Sequence, residues 1–119
     1  MHQFAVLFLW LVLATPAWAD STLDNVLSRK TIRCGVTQNM PGMAWQDAQG
    51  NWAGMDIDFC RALAAAVLGD ADSARFVPLS ARARFSSLLS NEIDVLSRNT
   101  STTLGRESQL GVLFTNPLF

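Results

Sequence analysis

The chain has 119 residues, with 9 Lys and Arg against 10 Asp and Glu, for a formal net charge of −1. That balance, with scattered arginines and Lys30 as the only lysine, excludes the basic footprint of a nucleic-acid-binding surface. The single histidine is His2, at the extreme N-terminus, so histidine triads and His-containing metal sites are excluded from the rest of the chain.

Met1 to Ala19 carries no charged side chain, and Phe4 to Ala14 is an unbroken apolar run. The run is shorter than the ~20 apolar residues that a bilayer span takes. It fits the apolar region of an export signal, with Ala17-Trp18-Ala19 as the small-x-small cleavage pattern and Asp20 as the expected mature N-terminus. The preceding Met1-His2-Gln3 lacks the usual Lys or Arg, and a buried N-terminal helix is the alternative reading. No Cys follows the cleavage pattern, which argues against a lipid anchor there and for a periplasmic product. The remaining residues, 20–119, suffice for one small α/β layer and one core.

Ser21 or Thr22 is placed to cap a short helix running to Lys30, with Asp24 in its first turn. Residues 31–36 read as a strand. Gln38 to Trp52 holds turn signals at Pro41-Gly42 and Gln49-Gly50-Asn51 and reads as a long functional loop with a hairpin-like turn. Gly54 to Leu68 is the strongest helix, with Ile57, Cys60, Leu63, Ala64, Val67 and Leu68 on one apolar stripe. Asp56 and Asp58 lie near its start, where the macrodipole favours negative charge, and read as capping residues, not as metal ligands or acid catalysts; Gly69 is expected to stop the helix. Residues 75–79 read as a second strand whose Pro78 points to an edge or an end. Ala81 to Ser90 reads as a helix burying Phe85, Leu88 and Leu89, and residues 93–97 as a third strand. Thr100 to Glu107 contains a helix start, and Gly111 to Phe114 reads as a fourth strand.

The two cysteines after the leader, Cys34 and Cys60, are an even count in an oxidising compartment. A disulfide and a pair of buried free thiols both remain open, because sequence does not show whether the Cα atoms come within bridging range.

Alternating strands and helices predict right-handed crossovers and a mostly parallel sheet, with ligands beyond the carboxyl ends of the strands. Leu96 to Arg106 lies just past such an end. It packs five hydroxyl residues, Asn99, and the guanidinium groups of Arg98 and Arg106 into eleven positions. Hydroxyls and a guanidinium suit a carboxylate ligand, since the fork holds both oxygens at once. A solvated Ser/Thr loop is the plainer alternative. No P-loop, GxGxxG, GxSxG, CxxC or HExxH pattern occurs, so the chain is not expected to be an enzyme and no metal or cofactor is expected.

Four segments together resemble family-3 solute-binding proteins, and within them the general L-amino-acid-binding proteins of ABC importers. They are Ile32-Arg33-Cys34-Gly35-Val36; Gln49 through Ala64, similar to the family's G-x-x-x-G-[FL]-D-[IV]-D signature; Phe76 through Phe85; and Ile93 through Arg106 with Phe114-Thr115-Asn116-Pro117. The resemblance implies a periplasmic-binding-protein-like α/β lobe, a mostly parallel sheet flanked by helices. It implies capture of an L-amino acid in the periplasm for ABC permease membrane subunits, by a monomer. Arg106, ending T-x-x-R, matches the residue that grips the α-carboxylate, and Ser101 a supporting hydroxyl. Asn99, Arg98, Thr37, Met40 and Arg84 match pocket-lining positions. Thr37 departs from the acidic residue of some cationic-ligand binders, and Gly105 from the usual polar residue of its turn.

On this resemblance residues 20–119 are the N-terminal part of lobe 1, with hinge and second lobe absent, as in a truncated reading frame. Such a piece is expected to bind amino acids weakly or not at all by itself. An extracytoplasmic sensor domain and a periplasmic dehydratase on the same fold are the alternatives; fold alone does not choose among them.

Overall fold

The computed structural model describes residues 21–118. The export signal read at Met1–Ala19 and the mature start at Asp20 lie outside them.

Helix α1 (Thr22–Arg29) starts at Ser21, whose extended backbone lets its hydroxyl accept the Asp24 N–H at 3.1 Å. Lys30 ends it in the left-handed conformation. Strand β1 (Ile32–Thr37) follows and is the centre of a three-stranded parallel sheet, ordered β4-β1-β5. Its partners are β4 (Ala74–Leu79) and β5 (Val95–Leu96), in registers that put Thr37 opposite Leu79 and Gly35 opposite Leu96. Pro78 is accommodated because β4 is an edge strand. Ile32, Cys34 and Val36, alternate residues on one face of this central strand, are buried. Gly35 lets the other face close tightly. A Cβ there would lie 2.7 Å from Leu79 Cδ1 and 3.2 Å from Leu96 Cδ1.

Between β1 and the long helix the chain folds into a small hairpin. Met40 and Ala44 form a bridge, and β2 (Trp45–Gln46) pairs antiparallel with β3 (Trp52–Ala53). Asp47 closes the turn by accepting the N–H groups of Gln49 and Asn51.

Helix α2 (Met55–Leu68) packs its stripe on β1, with Ile57, Cys60 and Ala64 fully buried and Gly69 as its left-handed stop. Cys34 and Cys60 are joined by a disulfide with Cα atoms 6.4 Å apart, fastening β1 to α2. The start of α2 corrects the sequence reading. The carbonyls of Gly42 and Met43 accept the Met55 and Asp56 N–H groups at 2.9 Å each, so the hairpin caps the helix. Asp56 is buried inside the stripe, while Asp58 is exposed and lies 3.6 Å from Arg61.

Helix α3 (Arg84–Leu89) buries Ser87, with Phe85 and Leu88 half-buried; Leu89, expected inside, is 50% exposed. The third strand shrinks to two residues because only Val95 and Leu96 pair with β1. Ile93 is nonetheless buried just before it. Helix α4 (Leu104–Leu110) is capped by Thr103, whose hydroxyl accepts the Arg106 N–H. The expected fourth strand at Gly111–Phe114 does not form. Gly111 is the left-handed cap of α4, and residues 112–118 run irregularly, unpaired with any described strand.

An ion cluster ties the opposite end of the sheet. Asp94, its side chain 4% exposed, accepts from Arg29 at 2.6 Å, from the Arg33 guanidinium at 3.0 Å and from the Arg33 backbone N–H at 2.8 Å. Burial alone would raise the Asp94 carboxyl, but the hydrogen bonds from Arg33 and Arg29 outweigh it and hold it below the usual carboxylate range. A depressed folded-state pKa contributes stability that is fully present above the unfolded value, near pH ~4. It is lost as pH falls through the folded value. Asp94→Ala is therefore expected to cost about 2 kcal/mol at pH 7. It should also flatten the acid limb of a stability-against-pH curve; an unchanged acid limb would show that the cluster is not what that limb reports.

Candidate functional site

Because β4, β1 and β5 are parallel, their carboxyl ends Leu79, Thr37 and Leu96 open on one side of the sheet. The Ser97 N–H donates to the Gly35 carbonyl at 2.9 Å and carries the β5 end over β1. Arg98, next in chain, donates from Nη1 to the Leu79 carbonyl at 2.7 Å and from Nη2 to Asn99 Oδ1 at 3.2 Å. It thereby ties the end of β5 to the end of β4. Arg84, the first residue of α3, donates from Nη1 to the Asn99 carbonyl at 3.1 Å and to Thr100 Oγ1 at 3.3 Å. Arg106, in the first turn of α4, donates from Nη1 to the Ser101 carbonyl. The Arg84 and Arg106 guanidinium carbons lie 5.1 and 5.2 Å from the centroid of one ring, Phe85, which serves both as a cation–π platform.

Three guanidinium groups are thus gathered over one loop, Asn99 to Ser101. Their protein partners are neutral oxygens. Arg29, Arg33 and Arg61 each have a carboxylate within 4 Å; Arg84, Arg98 and Arg106 have none among the described residues. Burial, followed by the like charges of Arg98 and Arg106, pulls the Arg84 guanidinium below its usual value. The Nε atoms of Arg84 and Arg98 and the Oγ1 of Thr37 are shut off from solvent with no hydrogen-bond partner. Buried polar atoms left unpaired in this way are rare.

Of the residues singled out from sequence, Arg84, Arg98, Asn99, Ser101 and Arg106 form one bonded group. Thr37 ends the central strand beside it, opposite Leu79. Among the described residues Met40 is hydrogen-bonded only within the hairpin, through its backbone, to Ala44 and Met43. Ser101 contributes its carbonyl to Arg106. A cleft of about 740 Å³ runs along the free side of β5 as far as residues 112–118, lined by Phe59, Leu63, Leu88 and Val112. It touches Arg98, Asn99 and Ser101 but not Thr37, Met40, Arg84 or Arg106. The cleft therefore meets the arginine group along its Arg98 to Ser101 side, with Phe85 in the shared wall.

Sequence reasoning missed three participants. Thr100 holds Arg84. Phe85 was assigned to the core, yet it carries two cations. Asp56 is 3% exposed, with Oδ2 unpartnered and its backbone carbonyl accepting from the Ser97 hydroxyl at 3.3 Å. Burial raises its carboxyl above the usual range, with the Arg98 charge and Ser97 opposing. Its position four residues before Cys60 was the available signal, since i and i+4 share a helix face.

Comparison with known proteins agrees with this architecture. Residues 32–119 match the family model of bacterial extracellular solute-binding proteins, family 3. The general L-amino acid-binding periplasmic protein AapJ of Rhizobium johnstonii is 49% identical over 105 residues, covering 87% of this chain and 31% of that protein. The chain spans about a third of the length of the curated relatives it matches. A periplasmic binding protein of an ABC transporter from Brucella ovis, solved with glutathione bound, superposes with a TM-score of 0.74 at 43% identity. The match covers 76% of this chain and 28% of that one. The arginine-bound form of domain 1 from TmArgBP (a Phe57Trp mutant in its own numbering) superposes with a TM-score of 0.64 at 26% identity. It covers 72% of this chain and 64% of that one. A family match spanning most of the chain, a parallel sheet flanked by helices and a polar site at the strand ends agree: this chain belongs to the family-3 bacterial extracellular solute-binding proteins.

Proposed function

We propose that this chain supplies the ligand-gripping part of the first lobe of a periplasmic amino-acid-binding protein, one that delivers L-amino acids to the membrane subunits of an ABC importer. The observation that carries the reading is the group of three arginines without carboxylate partners at the carboxyl ends of parallel strands. Arg106 takes the ligand α-carboxylate, its guanidinium steadied by the Phe85 ring and the Ser101 carbonyl. Ser101 and Asn99 shape the loop beneath it. Thr37, Arg98 and Arg84 line the pocket, and Met40 borders it from the hairpin. The protein works as a monomer, without cofactor, metal or chemistry of its own, and reaches the periplasm through cleavage after Ala19.

Calorimetry on the complete encoded protein tests this. Arg106→Ala is expected to weaken amino-acid binding by about 100-fold, because a desolvated carboxylate loses its charged partner. Unchanged affinity would refute the role of Arg106. The chain of 119 residues by itself is expected to bind weakly. The arginine-bound domain 1 of TmArgBP argues that a single unit of this fold holds an amino acid, so a micromolar constant for the isolated chain would overturn that expectation and leave the function standing.

A further inference from the structure

Asp56 is a buried carboxylate with no capping duty. It is the second residue of α2 and 3% exposed, at a helix start where a carboxyl ordinarily accepts backbone N–H groups. Those groups are taken. The Met55 and Asp56 N–H groups donate to the Gly42 and Met43 carbonyls, and the Asp58 N–H to the Gly54 carbonyl. Asp56 Oδ2 has no hydrogen-bond partner, and no guanidinium among the described residues lies within 4 Å of the carboxylate. A charge buried without a close partner is costly, and taking up a proton relieves the cost.

One charge acts on it, that of Arg98, with Ser97 as its hydrogen-bonding neighbour. Burial favours the protonated carboxyl and Arg98 the ionised one, and burial prevails. The other charged groups around α2 are engaged or turned away. Asp58 is exposed beside Arg61, and Asp47 closes the hairpin turn. On β1, Arg33 is bound to Asp94; on β4, Arg75 is exposed. Arg84 on α3 feels Arg98 and Arg106 but not Asp56, and Asp70 and Asp72 lie beyond the far end of α2. Arg98 itself is held by the Leu79 carbonyl and Asn99 Oδ1, so its charge stays beside the Asn99 to Ser101 loop. The cleft that reaches this loop is lined by Asp56, Ser97 and Arg98 as well.

From this arrangement we infer that Asp56 is a positioning residue that acts on the ligand through Arg98: ionised, it offsets the Arg98 charge, and protonated, it leaves that charge to the ligand carboxylate. The inference rests on the amino-acid-binding reading and adds a proton linkage to it. A carboxylate bound beside Arg98 disfavours a second negative charge at Asp56, so binding takes up a proton, and by reciprocity acid strengthens binding.

The test is calorimetry on the complete encoded protein with L-amino acids of uncharged side chain, which keep their charges from pH ~7.5 to ~4.5. Two buffers of different ionisation heat read proton uptake directly. Affinity is expected to be at least about fivefold tighter at the acid end, with net proton uptake. Asp56→Asn fixes the uncharged form at nearly the same volume. In it the pH response and the uptake are expected to vanish, while exposed Asp58→Asn keeps both. Affinity that is unchanged or weaker in acid would overturn the inference from the unaltered protein alone, even where a variant fails to fold. So would a pH response that survives in Asp56→Asn. A merely structural Asp56 would weaken binding in that variant at every pH and leave the proton uptake in place. Failure of every common L-amino acid to bind would refute the underlying reading, a different result from binding that ignores pH.

Discussion

Gly54→Ala is expected to be the most damaging single-methyl change in this chain, lowering stability by about 4 kcal/mol. Gly54 sits at the junction of β3 and α2 with φ of 125°, a backbone region that L side chains rarely adopt. The space is also taken. A Cβ there would fall on the Met43 carbonyl, and 2.9 Å from the Ala44 nitrogen. These are backbone atoms fixed by their own bonds, since the Met43 carbonyl caps the Asp56 N–H. Relief would mean pulling the hairpin off the start of α2. Gly42→Ala is the control. It also has positive φ, 86°, but nothing lies within 4 Å of the added carbon, so its cost is expected near 1 kcal/mol. Urea denaturation of both variants separates strain from collision. Equal losses would show that the contact with Met43 yields easily.

Removing the Cys34–Cys60 bridge by a double alanine change is expected to cost about 3.5 kcal/mol, the loop entropy released to the unfolded chain when a closure of this length is opened. The sequence separation is 26 residues, and both cysteines are fully buried between β1 and α2. Two small cavities add to the loss. A melting midpoint that does not move when the folded protein is treated with a strong reductant under mild denaturant would count against this. Loss of ligand binding in parallel with stability is expected too, because β1 carries Thr37 at its end.

The comparison of sequence with structure separates local from non-local information. The alternation of apolar runs and turn residues predicted α1, β1, α2, β4 and α3 to within a few residues, and the edge position of β4 was legible in Pro78. The stripe on α2 was legible because helical spacing is a local property. What failed was decided by distant partners. Gly111–Phe114 has strand-like composition, but a strand exists only where another backbone accepts its hydrogen bonds. Asp56 had the composition of a helix-start residue, yet the carbonyls that cap α2 come from Gly42 and Met43, across a hairpin. Leu89 was assigned to the core by periodicity, and its helix is too short and too peripheral to bury it. Arg98 and Arg106 were legible in the hydroxyl-rich stretch past β5, and Arg84 only in the family pattern. Their lack of carboxylate partners, the sharing of Phe85 and the closing of Arg98 onto Leu79 are facts of tertiary placement that no motif records.

The chemistry of the three arginines has one more outcome. A guanidinium keeps its proton at every pH at which a protein of this kind stays folded. Under the function proposed above, an acid held by such groups would be let go by moving the surrounding walls apart, a matter of force and geometry.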